Sequence, residues 1–139
     1  MDPSLLPPLY VAFSEEFGEP TEVLHSNLRA RYEQGEAAVV SAMTLFALFA
    51  QQARDALVAG RPELLSPLVN RNFDLRQSIC HLPAAHARMV QTARRVGASA
   101  KFAGSGGAII GVYDGAGMYQ DLCRELEKIG CRVIRPEIA

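Results

Sequence analysis

The chain has 139 residues, a hydrophobic fraction of 49%, a charged fraction of 21% and a formal net charge of -1. This length fits one domain, or one lobe of a larger protein, with a proper core, and the charge gives no electrostatic reason to expect nucleic acid or a membrane as partner. Its three cysteines, Cys80, Cys123 and Cys131, cannot all pair within the chain and lack metal-ligand spacing. We therefore expect reduced thiols, no metal site and a cytoplasmic location.

The first half of the chain predicts one strand followed by helices. Leu9–Phe13 follows two prolines and is rich in residues that favour strands. Residues 27–34 predict a short polar helix. Residues 36–59 form a longer helix, whose apolar side chains recur every three or four positions so densely that little of its first half should face water. Residues 62–75 also predict a helix, with a kink or a restart at Pro67.

The second half alternates strands and helices. A helix beginning at Pro83 should end at Gly97, with Arg88, Arg94 and Arg95 on its solvated face. The remaining predicted elements are a strand at Ala100–Ala103, a strand at Ala108–Tyr113, a helix at Gly117–Ile129 and a strand at Cys131–Ile134. With the helical block counted as one enlarged crossover, the order is βαββαβ. This order predicts a single α+β domain over residues 1–139, a ferredoxin-like split βαβ sandwich with a four-stranded, mostly antiparallel sheet and an enlarged helical layer.

A glycine loop lies between the second and third predicted strands. Gly104, Ser105, Gly106 and Gly107 allow positive φ angles and expose backbone N–H groups, which can together bind an anion. Lys101, one of two lysines in the chain, precedes the loop. The loop is not a Walker A motif, because the lysine comes first, and not a dinucleotide fingerprint, because a strand follows the glycines. A glycine turn that binds no ligand is the common alternative.

Two patterns together resemble the GHMP small-molecule kinases. Lys-Phe-Ala-Gly-Ser-Gly-Gly at 101–107 is similar to the third conserved motif of that family. Asn-Arg-Asn-Phe-Asp-Leu-Arg at 70–76, with Pro-Pro-Leu-Tyr at 7–10 and Val-Leu-His-Ser at 23–26, looks most like the C-terminal part of the glucuronokinase branch. The resemblance covers nearly the whole chain and implies a ferredoxin-like C-terminal domain. Two departures are a shorter glycine run and Ala103, where the family often has Ser or Thr.

The resemblance implies the C-terminal lobe of an ATP-dependent sugar-1-kinase that phosphorylates a uronic acid or related sugar at the anomeric hydroxyl. The family's N-terminal lobe, which carries the ATP phosphate loop and the catalytic aspartate, is not represented in this sequence. We therefore expect no catalytic residue in this chain, and ATP and Mg²⁺ only together with that lobe, in the same protein or in a separate chain. The alternative is a non-catalytic ligand-binding or regulatory domain of the same fold.

The resemblance also suggests which residues would meet the substrate. A uronic acid carries a carboxylate, for which an arginine fork is the matched partner, so Arg76 is the first candidate. Asn70 and Asn72 would bind sugar hydroxyls, and His25 and Ser26 could also face the sugar. The structural alternatives are that Arg76 pairs with Asp74 or a helix end, and that Ser26 with its neighbour His25 is only a helix N-cap.

Overall fold

The computed structural model describes residues 1–15 and 27–138. Its four strands are β1 (Leu9–Ser14), β2 (Lys101–Phe102), β3 (Ala108–Val112) and β4 (Cys131–Ile134). They form one sheet in the order β2-β3-β1-β4, and each neighbouring pair is antiparallel. The split βαβ order predicted from the sequence is therefore confirmed.

Helices build the second layer. They are α1 (Leu28–Glu33), α2 (Ala37–Val58), α3 (Leu65–Ile79), α4 (Ala84–Arg95) and α5 (Gly115–Glu127), with short 3₁₀ turns at Pro3–Leu5 and Pro62–Leu64. The helices α3, α4 and α5 contact the strands, whereas α2 packs on α3 and α1. No helix in the described ranges is long and apolar enough to cross a membrane.

The core lies between the sheet and the helices that contact it. Alternation along β1 buries Tyr10 and Ala12 completely, and the three- to four-residue spacing along α4 buries Met89, Val90 and Ala93. The buried hydroxyl of Tyr10 donates to the carbonyl oxygen of Ser99 at 2.8 Å, and burial raises its pKa. This bond fixes the segment that leads into β2, and hence the start of the glycine loop.

Two predictions about the helices differ from the structure. In the first half of α2 only Val39 and Ala42 are buried, while Leu45 and Leu48 are 38% and 47% exposed, so the prediction that little of it faces water is wrong. The restart predicted at Pro67 occurs at Leu65, because a proline in the first helical turn interrupts no intrahelical hydrogen bond.

Candidate functional site

The glycine loop is an anchored turn between β2 and β3. Gly104, Gly106 and Gly107 have φ angles of +93°, +143° and +77°, which is a backbone conformation that residues other than glycine rarely adopt. At the base of the loop, Ala103 N donates to Ala108 O at 3.0 Å, and Ser14 N of β1 donates to Gly107 O at 2.9 Å. The positive φ angles expected from the sequence are therefore present, in a loop held by two strands.

Lys101 lies half-buried at the start of β2. Its ammonium donates to the carbonyl oxygen of Phe102 at 3.0 Å and forms no ion pair with a carboxylate of residues 1–15 or 27–138. Burial, and then the positive charge of Arg76, lower the pKa of Lys101 below its usual value. A cation held in this way, beside another cation, is stabilised by a bound anion.

Arg76 extends from α3 to the loop. Its Nη1 donates to Gly104 O at 2.7 Å, and its guanidinium carbon lies 5.3 Å from the centre of the Phe102 ring. Burial lowers the pKa of Arg76 as well. A guanidinium has five N–H donors in a planar fork, so it can hold the loop and a carboxylate together. Asp74, the ion-pair partner considered from the sequence, pairs instead with Arg94.

Asn72 lies one helical turn before Arg76 on the same face of α3. Together with Phe46 of α2 it lines two adjacent cavities of about 330 Å³ each. Arg76 lines one of these cavities and Lys101 lines the other. The two helices thus enclose a cleft with an apolar wall from α2 and polar groups from α3 and β2.

Asn70 has a different environment from Asn72. Its Oδ1 accepts from Arg94 Nε at 3.1 Å and from Ala100 N at 3.0 Å. Any contact of Asn70 with a sugar would therefore have to use its amide nitrogen. The other two predicted sugar contacts, His25 and Ser26, lie outside the described residues.

Comparison with known proteins shows which proteins this chain resembles. No family model matches the chain. Over 114 residues it is 42% identical to probable glucuronokinase 2 and 40% identical to glucuronokinase 1, both of Arabidopsis thaliana. The chain resembles a C-terminal domain of the GHMP kinase family. Each alignment covers 79% of this chain and 31% of the relative, so the chain spans about a third of the length of the curated relatives it matches.

The fold of this chain also occurs in a solved kinase structure. The mevalonate kinase of L. major, in complex with R-mevalonate, matches with a TM-score of 0.79 and 21% sequence identity. The match covers 95% of this chain and 44% of that chain. At this identity the likeness concerns the fold alone, and it agrees with the sheet order described above.

The role of one arginine in this domain does not follow from the sequence pattern. Arg94 was expected on the solvated face of α4, but only 28% of its side chain is exposed, and it lies over the ring of Phe73 at 5.3 Å. The signal was the spacing of Asn70 and Asp74, which puts an amide and a carboxylate on one face of α3. Both groups bind the guanidinium of Arg94.

Two further features help to define the extent and chemistry of the candidate site. A larger groove of about 490 Å³ lies at the other end of the α2–α3 pair, lined by Asp55, Arg61 and Arg71 among others, and it contains none of the predicted site residues. Within residues 1–15 and 27–138, no cluster of three His, Cys, Asp or Glu side chains is suited to a metal ion.

Proposed function

We propose that this chain is the C-terminal lobe of an ATP-dependent sugar-1-kinase of the GHMP family that phosphorylates a uronic acid, or a related sugar, at its anomeric hydroxyl. The observation that carries the proposal is the meeting of α3 and the glycine loop at one cleft. Arg76 and Gly104, which are 28 residues apart in sequence, are joined by a hydrogen bond, and Asn72 and Lys101 line the adjoining cavities. The identity of 40–42% to two glucuronokinases supports the substrate class.

The phosphate part of the proposed site is the glycine loop with Lys101. Phosphoryl transfer depends on positioning the phosphate and stabilising its charge, and ATP supplies the transferred group. Residues of this chain fit that role. Gly104 is exposed and Gly106 is partly exposed in a turn with positive φ angles, and the ammonium of Lys101 has no carboxylate partner in the described part of the chain. An anionic phosphate would compensate the charge that burial penalises at Lys101.

The sugar part of the proposed site is the cleft between α2 and α3. Arg76 would bind the carboxylate of a uronic acid while it holds Gly104, so that substrate and loop share one guanidinium. Asn72 would bind a hydroxyl, and Phe46 would contact the apolar face of the sugar ring. His25, Ser26 and the amide nitrogen of Asn70 remain sugar contacts proposed from the sequence.

The remainder of the kinase is proposed to be an N-terminal lobe, in the same longer protein or in a separate chain. It would supply the ATP phosphate loop, the catalytic aspartate and the Mg²⁺ ligands. The exposed apolar side chains of Val40, Leu45 and Leu48 on α2 offer a surface on which such a lobe can pack. The proposal therefore assigns α2 to both the sugar cleft and the contact between the lobes.

The proposal is tested with two proteins. The first is the purified 139-residue chain, and the second is a chimera in which this chain replaces the region of Arabidopsis glucuronokinase 1 that it matches. We expect ATP-dependent phosphorylation of glucuronate by the chimera and none by the chain alone, because positioning needs both lobes. Gly106→Val should remove turnover in the chimera, because the backbone of a β-branched residue does not adopt a φ of +143° without strain and the loop would have to change its conformation. The matched control is Gly117→Ala, where an added Cβ meets nothing within 4 Å.

Two results would contradict the proposal. Turnover by the chain alone would show that the catalytic parts are present in it. A chimera that folds and binds glucuronate without phosphorylating it would favour the alternative, a ligand-binding or regulatory domain.

A further inference from the structure

Arg94 joins helix α4 to α3 through one guanidinium, and Asn70 of α3 extends this connection to the segment before β2. Its Nη2 donates to the backbone oxygen of Asn70 at 2.9 Å, its Nε donates to the side-chain oxygen of Asn70 at 3.1 Å, and its Nη1 donates to Asp74 at 2.7 Å. The same Asn70 oxygen accepts from the N–H of Ala100 at 3.0 Å. Helix α4 is thereby tied to α3, and α3 to the segment that begins β2.

The place of this connection in the chain gives it a role at the proposed site. Ala100 directly precedes Lys101, and Asn70 lies on the same helix as Asn72 and Arg76. The set of Arg94, Asn70, Asp74 and the Ala100 N–H, which we term the Arg94 clamp, therefore determines how far the groups on α3 lie from Lys101. Asn72 and Arg76 lie on α3 and Lys101 lies on β2, so no direct covalent link keeps these groups at a fixed distance from one another.

We infer that Arg94 is a positioning residue, which holds the sugar-binding side of the cleft at a fixed distance from the phosphate-binding side. The consequence for turnover depends on the function proposed above, whereas the structural part does not. Displacements of about 1 Å at a site of phosphoryl transfer can reduce turnover about 100-fold. Arg94 itself does not line either of the cavities at the cleft.

The geometry requires an arginine. Three nitrogens of one planar group meet three acceptors on α3, and the face of the group lies on the ring of Phe73. A lysine would keep the charge but lose the fork. The ion pair with Asp74 is the weaker part of the clamp, because 58% of that carboxylate side chain is exposed and solvent screens the pair.

The first arm of the test needs no activity. Amide ¹H–¹⁵N spectra of the 139-residue chain are compared for Arg94→Lys, Asp74→Ala and the control Arg88→Ala, which removes an exposed arginine from the same helix. We expect Arg94→Lys to shift the amides of residues 100–104 well beyond the shifts in the control. Asp74→Ala should produce smaller shifts of the same amides, and it serves as the second variant if Arg94→Lys unfolds.

The second arm uses the chimera. Arg94→Lys should reduce kcat by about tenfold or more on glucuronate and on a neutral hexose alike, with both sugars' KM values changed less than twofold, because Arg94 sets the spacing of the two halves and does not itself contact either substrate. Arg88→Ala should leave kcat unchanged. The inference is overturned if folded Arg94→Lys leaves both the amides of residues 100–104 and kcat unchanged, or if Asp74→Ala shifts only amides elsewhere. If the amides shift but the wild-type chimera is inactive, the kinase proposal is refuted, whereas the structural role of the Arg94 clamp is supported.

Discussion

Replacing Arg76 by alanine should lower the stability of the domain and, in the proposed kinase, the preference for uronic acids. In the free domain Arg76 provides a charged donor to Gly104 O at 2.7 Å and lies over the Phe102 ring. A hydrogen bond from a charged group typically contributes about 1.5–3 kcal/mol, and a cation–π contact about 0.5–1 kcal/mol. Removing the charge also relieves its repulsion of Lys101. We therefore expect a loss of about 1–3 kcal/mol in the free energy of unfolding.

Urea denaturation of the 139-residue chain measures this loss. The matched control is Arg71→Ala, which removes an exposed arginine from the same helix at the larger groove and should change the free energy of unfolding by less than about 0.5 kcal/mol. If the two variants are equally stable, the bond to Gly104 does not anchor the loop in solution.

The effect on selectivity is measured in the chimera. Losing one partner of a desolvated arginine–carboxylate pair costs about 2–5 kcal/mol, which is roughly 30-fold to several thousand-fold in affinity. Arg76→Ala should impose that loss on glucuronate, whereas a neutral hexose should be affected only through the loosened loop. Equal losses on both sugars would show that Arg76 acts on the loop alone and does not recognise the carboxylate.

Two further predictions concern the surroundings of the loop. Gly111→Ala should lower the free energy of unfolding, measured by urea denaturation, by about 3 kcal/mol or more, because its Cβ would lie 1.7 Å from the backbone oxygen of Ser99. The control Gly117→Ala adds a Cβ that meets nothing within 4 Å, so it should be neutral or stabilise by up to about 1 kcal/mol. Equal stabilities of the two variants would contradict the close packing of Gly111 on Ser99. The pKa of Lys101 is lowered in the folded state. Between that lowered pKa and the usual 10.5, the folded chain therefore binds fewer protons than the unfolded chain, and the free energy of unfolding should rise with pH in this window. Lys101→Met should remove this contribution from the pH dependence of the free energy of unfolding, and an unchanged pH dependence would contradict it.

The strands were predictable from the sequence because each has a local signal. Runs of β-branched, aromatic or small residues bounded by glycine, proline or a helix stop give all four, and the order of elements then gives the sheet order. The loop glycines were also predictable, since their positive φ angles follow from residue type and turn context. These features depend on short stretches of sequence.

The side-chain partners at the site were not predictable in the same way. Arg76 and Arg94 are both arginines on helices, yet one holds a loop carbonyl and the other clamps two elements. Their partners, Gly104 and Asn70, are distant in sequence, so no helical or strand period specifies them. The family resemblance identified Arg76 as a candidate, but only the packing of α3 against β2 shows that it also donates a hydrogen bond to the loop.

The difference between the predicted and observed burial of α2 has a physical explanation within the proposed function. Hydrophobic periodicity indicates that one face of a helix is buried, but it does not indicate which molecule or lobe covers that face. On this domain the side chains of Leu45 and Leu48 remain exposed while Phe46 lines the sugar cleft. A lobe that packs on the exposed side of α2 would bury those leucines and, through the same helix, support the wall of the cleft. Closure of the kinase and completion of the sugar site would then be one event, because both depend on the position of α2.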